Sequence, residues 1–244
     1  MSRQARRWIA LGVLATVLAV TFVMLGRWQL SRLDERRAAN AIVVAHRDMP
    51  VQPYGQVMGG PIGDDDQWFQ VTATGTYLPE QFQVRYRSLD GAYGSEVVAV
   101  LQTDAGDHLL VDRGFLQREG SRPDGDVPAV TPGEVTVTGY VRRNERGDSI
   151  AMEPHEGQIR LISSEALGQS LGLDLLDGFI ALSESTPADV GGLTPVPPPD
   201  LSEGPHLSYA LQWFAFTVVG VIGVGVLVRA DIRDRRKASA KAAA

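Results

Sequence analysis

The chain has 244 residues, 44% of them hydrophobic, no cysteine and a net charge of −6. Without cysteine there are no disulfides, no thiolate metal sites, no thiol redox chemistry and no copper carriage through cysteine pairs. The charge is uneven: residues 40–206 hold ten basic and twenty-five acidic side chains, a net of −15, against +9 on the remainder. That middle region lacks the basic face phosphate binding needs, which excludes nucleic acid as a partner.

The first seven residues form a basic tail with Arg3, Arg6 and Arg7. Residues 8–26 follow as nineteen uncharged positions, bracketed by Trp8 and Trp28. This length predicts a transmembrane helix, and tryptophans favour its two interfaces. A cleaved signal peptide is the alternative reading, but the apolar run is long for one and no small-x-small site follows. Residues 27–40 read as a helical continuation with Leu30 and Leu33 on one face.

Residues 41–190 read as one β-rich domain. Phe69–Tyr77 alternates, and Gln81–Arg87 alternates again with Phe82, Val84 and Tyr86 on one face. Ser95–Thr103 is a denser apolar run that suits a strand buried on both faces, and His108–Phe115 is a further strand. Val135–Val141 repeats the Val-Thr-x-Thr-Gly pattern of residues 71–75, too briefly to establish a repeat. Gly178–Ser183 is the last strand. The one helix expected outside the spans is Ser164–Ser170, capped by Ser163 or Ser164. Residues 55–66, rich in Gly and Asp, read as a loop. Short, closely spaced strands imply a small barrel or sandwich.

Residues 191–205 form a linker whose five prolines forbid a continuing helix. A second predicted span covers residues 206–228; its part from Leu207 to Val228 is twenty-two residues without charge. The final residues, 229–244, are a basic tail. The fold class is thus an α+β membrane protein, with two terminal transmembrane helices flanking an extracytoplasmic β-rich domain. Basic residues favour the inner side, which places both termini in the cytoplasm of a plasma-membrane protein. Arg27, Arg32, Arg36 and Arg37 argue the other way for the first span alone; the acidic outer flank of the second span, Asp200 and Glu203, decides.

No catalytic constellation emerges. His155-Glu156 lacks the second histidine of a zinc-protease helix, and Ser149 lacks the final glycine and the context of a nucleophile elbow. The lysines are confined to positions 237 and 241. Asp64-Asp65-Asp66 has no companion Ca²⁺ ligands and reads as a solvated loop. His46, His108 and His155 lie far apart and read as surface or strand histidines.

His206 stands apart. His206, Tyr209, Ala210 and Trp213 form one helical stripe at the outer end of the second span. Ala210 leaves room beside the imidazole, an arrangement suited to a flat apolar cofactor such as a haem, with His206 as iron ligand. The competing reading is an interface cluster at headgroup level, where Tyr, Trp and His all sit comfortably.

The chain resembles the Surfeit locus protein 1 family of cytochrome c oxidase assembly factors. The resemblance is carried by Leu25-Gly-Arg-Trp-Gln-Leu-Ser-Arg32 after the first span and by His206-Leu-Ser-Tyr-Ala-Leu-Gln-Trp-Phe214 at the second. Between them lie Val71–Tyr77, Arg87 with Gly91 and Gly94, Leu109–Phe115, and Gly139–Arg142 with Glu145. It implies a non-enzymatic role in oxidase biogenesis near haem a insertion, with oxidase subunit I and haem A synthase as partners beside the lipid bilayer. It implies His206 as the ligand position, with Tyr209 and Trp213 in the same motif and Gly26, Trp28 and Gln29 in the first. Arg27 and Arg32 have two readings: pairing with haem propionates, or snorkelling to lipid phosphate. For Arg113 the expected role is structural pairing within the sheet, with Glu145 as a partner. A structural factor that binds no cofactor is the alternative function.

Overall fold

A computed structural model of the protein describes residues 3–118 and 126–242. The chain divides into two units, one running up to Asn40 and resuming at Leu201, the other spanning Ala41–Asp200.

The first unit is made by the two terminal helices. α1 runs Arg3–Arg47 and α4 runs His206–Ala242. Both are long and apolar enough to cross a membrane. The expected helical continuation over 27–40 extends unbroken to Arg47, and the basic tail after residue 228 continues α4 through Ala242. Nothing in either stretch breaks a helix: Arg and Ala dominate and proline is missing.

The second unit is a β-barrel. Its strands are β1 (Gln52–Pro53), β2 (Gln70–Leu89), β3 (Ala92–Thr103), β4 (His108–Gln117), β5 (Glu134–Arg142), β6 (Gln158–Ile159) and β7 (Phe179–Thr186). The order β2-β3-β4-β7-β5 closes because β5 also pairs with β2, while β1 and β6 attach to β2. Closure leaves those five strands without a free edge along their paired stretches, which resolves the barrel-or-sandwich choice. β4 and β7 are parallel; the other pairs that close the barrel are antiparallel.

The two segments expected as separate strands, Phe69–Tyr77 and Gln81–Arg87, are one strand with two irregularities. Its first half pairs with β5 and the remainder with β3. The doubled Val-Thr-x-Thr-Gly pattern acquires a meaning here: the two copies lie antiparallel, Val71 opposite Gly139 and Gly75 opposite Val135. Thr74 and Thr136 share a hydrogen bond of 3.0 Å across the pair. A Cβ on Gly75 would collide with the backbone of Gln102, and one on Gly139 with that of Ala181. Both glycines therefore permit close strand approach.

One core cluster draws on all five barrel strands, including Val71, Leu101, Leu109, Val137 and Ile180, and so fills the interior. A second, with Val84, Val98, Leu110, Ile162 and Leu167, covers the opposite face of β2–β4. Val97–Leu101 is buried throughout, as its continuous apolar run predicts. Tyr86 departs from expectation: Phe82 and Val84 are buried, but Tyr86 is exposed. Between Val84 and Arg87 the strand carries one residue more than β3, a bulge that breaks the alternation.

α3 (Ser164–Leu171) is capped by Ser163, whose hydroxyl accepts from Ala166 N at 3.2 Å, and ends at Gly172 in the left-handed conformation. Two short turns were not anticipated, α2 (Tyr54–Val57) and a 3₁₀ turn at Ser149–Ala151. The linker after Gly191 has no helix or strand, but Thr194 exchanges both backbone hydrogen bonds with Phe115.

Candidate functional site

The first unit brings the two sequence motifs together. α1 and α4 run antiparallel, with Phe22 near Trp213 and Phe216 (ring centroids 5.5 and 5.9 Å) and Gln29 bonded to His206. Gly26 is buried against Phe214, where a Cβ would lie 2.6 Å from the ring. Polar contacts continue the seam beyond His206. Arg37 makes a bidentate ion pair with Glu203 (2.8 and 3.0 Å), Arg36 Nε donates to Ser202 O, and Asn40 donates to Leu201 O at 2.6 Å. This pairing holds the exposed Glu203 carboxyl below its ordinary pKa.

His206 is the first residue of α4, placed by Pro205, a residue suited to a helix start. Its Nδ1 lies 2.9 Å from Gln29 Oε1 and the ring is half-buried. In the tautomer in which Nδ1 donates to this amide oxygen, the lone pair is on Nε2. An imidazole oriented in this way is prepared to ligate a metal through Nε2. One imidazole without carboxylate or thiolate companions fits a haem iron better than a caged ion. Among the described residues no group of three or more His, Asp or Glu side chains is arranged to hold a metal.

The other predicted site residues separate. Trp213 joins His206 on the face toward α1, packed among Phe22 and Phe216. Ala210 is wholly buried, so the room expected beside the imidazole is closed by packing at that position. Tyr209 and Trp28 are both about half exposed and Arg27 is exposed. Arg32 ion-pairs with Glu35 at 2.8 Å and lies over the Trp28 ring at 5.9 Å. Gln29 belongs to the first motif without a role legible in the sequence, because its partner is 177 positions away.

The barrel holds a second polar cluster. Arg87 bridges Glu96 (2.9 Å) and Glu145 (2.6 Å), and Glu145 also accepts from Ile162 N. Asp112 is buried and accepts from Gly114 N at 3.1 Å. Burial and the neighbouring Glu96 push its carboxyl well above the ordinary range; burial also raises Glu96. Glu145 therefore serves Arg87 and not Arg113, correcting the expected partner. Arg113 pairs with Asp189, and the extra residue at its position on β4 explains why both Asp112 and Arg113 are buried despite strand alternation.

The remaining candidates are engaged structurally. Asp64 accepts from Arg146 and Arg143, which hold its carboxyl below the ordinary range. Asp66 accepts from Gly63 N, and His46 stacks on Phe69 with centroids 3.7 Å apart. Ser149 lies in the 3₁₀ turn, not at a strand–helix elbow.

The SURF1 family model matches residues 16–218. The chain is 31% identical over 242 residues to an uncharacterized SURF1-like protein of Mycobacterium tuberculosis, covering 96% of this chain and 88% of the relative. An uncharacterized SURF1-like protein of Mycobacterium bovis matches to the same extent. A SURF1-like protein of Rickettsia felis is 25% identical over 233 residues, with coverage of 88% and 96%.

Proposed function

The chain belongs to the SURF1 family, generally cytochrome oxidase assembly factors, and from that premise we propose that it handles haem a during assembly of the oxidase. The observation that carries this reading is the Gln29–His206 hydrogen bond, which fixes the imidazole and leaves Nε2 as the ligating atom. Haem a is cargo here, apolar at its tail and anionic at its propionates, so it travels at the boundary between lipid and water. Single ligation by a half-buried imidazole allows release to oxidase subunit I, and haem A synthase is the source on the same reading. Both helices span the plasma membrane, the termini are cytoplasmic and the barrel is outside. On this reading the protein carries and hands over haem and performs no catalysis.

The alternative is a structural factor that stabilises oxidase subunits without cofactor. Tight packing at Gly26 and Ala210 favours it, since the helix pair is closed there. A visible spectrum separates the two. Detergent-purified protein from cells that make haem a should show a haem band that falls away in His206→Ala. No band in either protein, with oxidase subunits still co-purifying, would leave the structural reading.

A further inference from the structure

The bulge in β2 has made a surface feature that the helix-pair site does not use. Three steps along β2, from Val84 to Arg87, oppose two along β3, from Glu96 to Gly94. The extra residue forces Tyr86 to a φ of +64°, a conformation bulky side chains rarely adopt. The ring it turns outward is 77% exposed, and Tyr93 on the neighbouring strand is 76% exposed. Strain that serves to expose an aromatic ring offers no packing gain, and such strain gathers at binding sites.

Shallow cavities flank Tyr86. One of about 220 Å³ is lined by Arg85, Tyr86, Ile150, His155 and Arg160, with Glu153 also on it. The other, about 110 Å³, is lined by Arg85, Arg87, Tyr93 and Arg118. Ile150 is 68% exposed. The Arg85 guanidinium lies 5.2 Å from the Tyr86 ring centroid and donates to Gln158 at 2.9 Å, so it is held in place. Arg87 is spent on Glu96 and Glu145, so three of the ten basic residues of a region with net charge −15, Arg85, Arg118 and Arg160, give the two exposed tyrosines their positive surroundings.

We infer that this patch docks a partner protein through a segment bearing carboxylate side chains. Tyr and Arg dominate the energy of protein interfaces, and guanidinium groups match carboxylates in shape and charge. Drug-sized ligands need roughly 300–1,000 Å³, so each smaller cavity takes a side chain instead. An anionic bilayer fits less well. Glu153 on the rim and exposed Asp90 at the hairpin tip would be pressed against negative headgroups, whereas a protein can leave them in water. The identity of the partner as an oxidase subunit rests on the assembly reading above; the chemistry of the patch does not.

The test uses the full chain in its own membranes, in a strain that makes the oxidase, with a photoreactive residue at position 86, 93 or, as control outside both cavities, 190. Adducts with an oxidase subunit are expected from 86 and 93 and not from 190. Arg85→Glu with Arg160→Glu should lower those adducts, and co-purifying subunit I, by roughly tenfold or more, the loss of one interface anchor. Circular dichroism and thermal midpoint must stay near wild type, and Tyr86→Ser is the second variant if the charge reversal misfolds. Adducts with lipid alone, or undiminished subunit I in the variants, would overturn the docking surface. If wild type captures no oxidase subunit, the assembly reading fails. The surface then stands only if 86 and 93 give a protein adduct that charge reversal removes, and falls if they give none.

Discussion

Arg113 in the barrel and His206 in the helix pair are both basic side chains withdrawn from solvent, and they are held in different ways. Arg113 uses all five of its N–H donors: two on Asp189, one on Gln81 and one each on the carbonyls of Pro128 and Ala129. Tyr77 presents its ring 5.9 Å from the guanidinium. No donor is left for a ligand. His206 has one nitrogen committed to Gln29 and the other not required for that bond. Saturation marks a structural residue and spare capacity a functional one, so burial alone would have ranked the two sites in the wrong order.

The largest expected effect comes from breaking the saturated side. Arg113→Ala takes the cation away from Asp189, whose carboxylate keeps only Gly191 N, and removes the donor to Ala129 O and Gln81 Oε1, while Pro128 O keeps Gln81 Nε2. Removing one partner of a buried ion pair costs about 3–5 kcal/mol. For a unit of this size that is a fall of roughly 10 °C in thermal midpoint, read by circular dichroism in detergent. A change below a few degrees would show that the segments around Pro128 and Asp189 hold without the clamp.

The spare side is tested through the residue that orients it. Gln29→Leu removes the acceptor for Nδ1 without touching the ligating nitrogen. Loss of such a partner typically costs 10–100-fold in metal affinity. Haem titration followed in the visible spectrum should show that drop, with Gln29→Glu retaining binding because it still accepts from Nδ1. Equal affinity in Gln29→Leu would make the cross-helix bond a packing contact, and the contrast with Arg113 would disappear.

How much of this was legible in the sequence follows from the range of each interaction. The two long helices, α3 with its Ser163 cap and the doubly buried Val97–Leu101 run are local patterns, and they were read from composition and period. Barrel closure depends on β5 pairing with β2 and β7 with β4, and alternation carries no information about partners. The Arg113–Asp189 pair spans 76 positions and Gln29–His206 spans 177. Glu145 was the plausible partner for Arg113 by type, but nothing local showed that Arg87 would claim it. The exposed Tyr86 was misread for another reason: one extra residue in a strand reverses every later side chain, and the chain carries no glycine there to signal it.

Asp112 offers a smaller effect with a definite sign. Its folded pKa lies above the ordinary carboxylate value, as does that of Glu96. The folded barrel therefore keeps protons the unfolded chain has already released. Their contribution is full below the ordinary carboxylate range, about pH 4, and is lost as pH rises through the folded values. Asp112→Asn keeps an acceptor for Gly114 N without the charge. It should flatten the stability profile above about pH 4 and raise stability near neutrality by about 1–2 kcal/mol. A variant that is less stable at pH 7 than wild type would mean that Arg87 or Arg142 depends on the Asp112 charge.

The smallest effect is expected at Tyr77, which sits against the saturated guanidinium. Its hydroxyl is buried and has no hydrogen-bond partner among the described residues, and burial pushes its pKa upward. Arg113 cannot help, since its donors are spent and it has no acceptor to offer. The ring fills the barrel interior beside Leu101 and Val135, so the aromatic surface is what the site retains. Tyr77→Phe keeps that surface and removes the unsatisfied group, so stability should be unchanged or rise by up to about 1 kcal/mol. A clear loss in thermal midpoint would show that the hydroxyl does find a partner, a bridging water to Asp189 being the nearest candidate in chemistry. The environment of Arg113 would then be less fully closed than its five direct bonds imply.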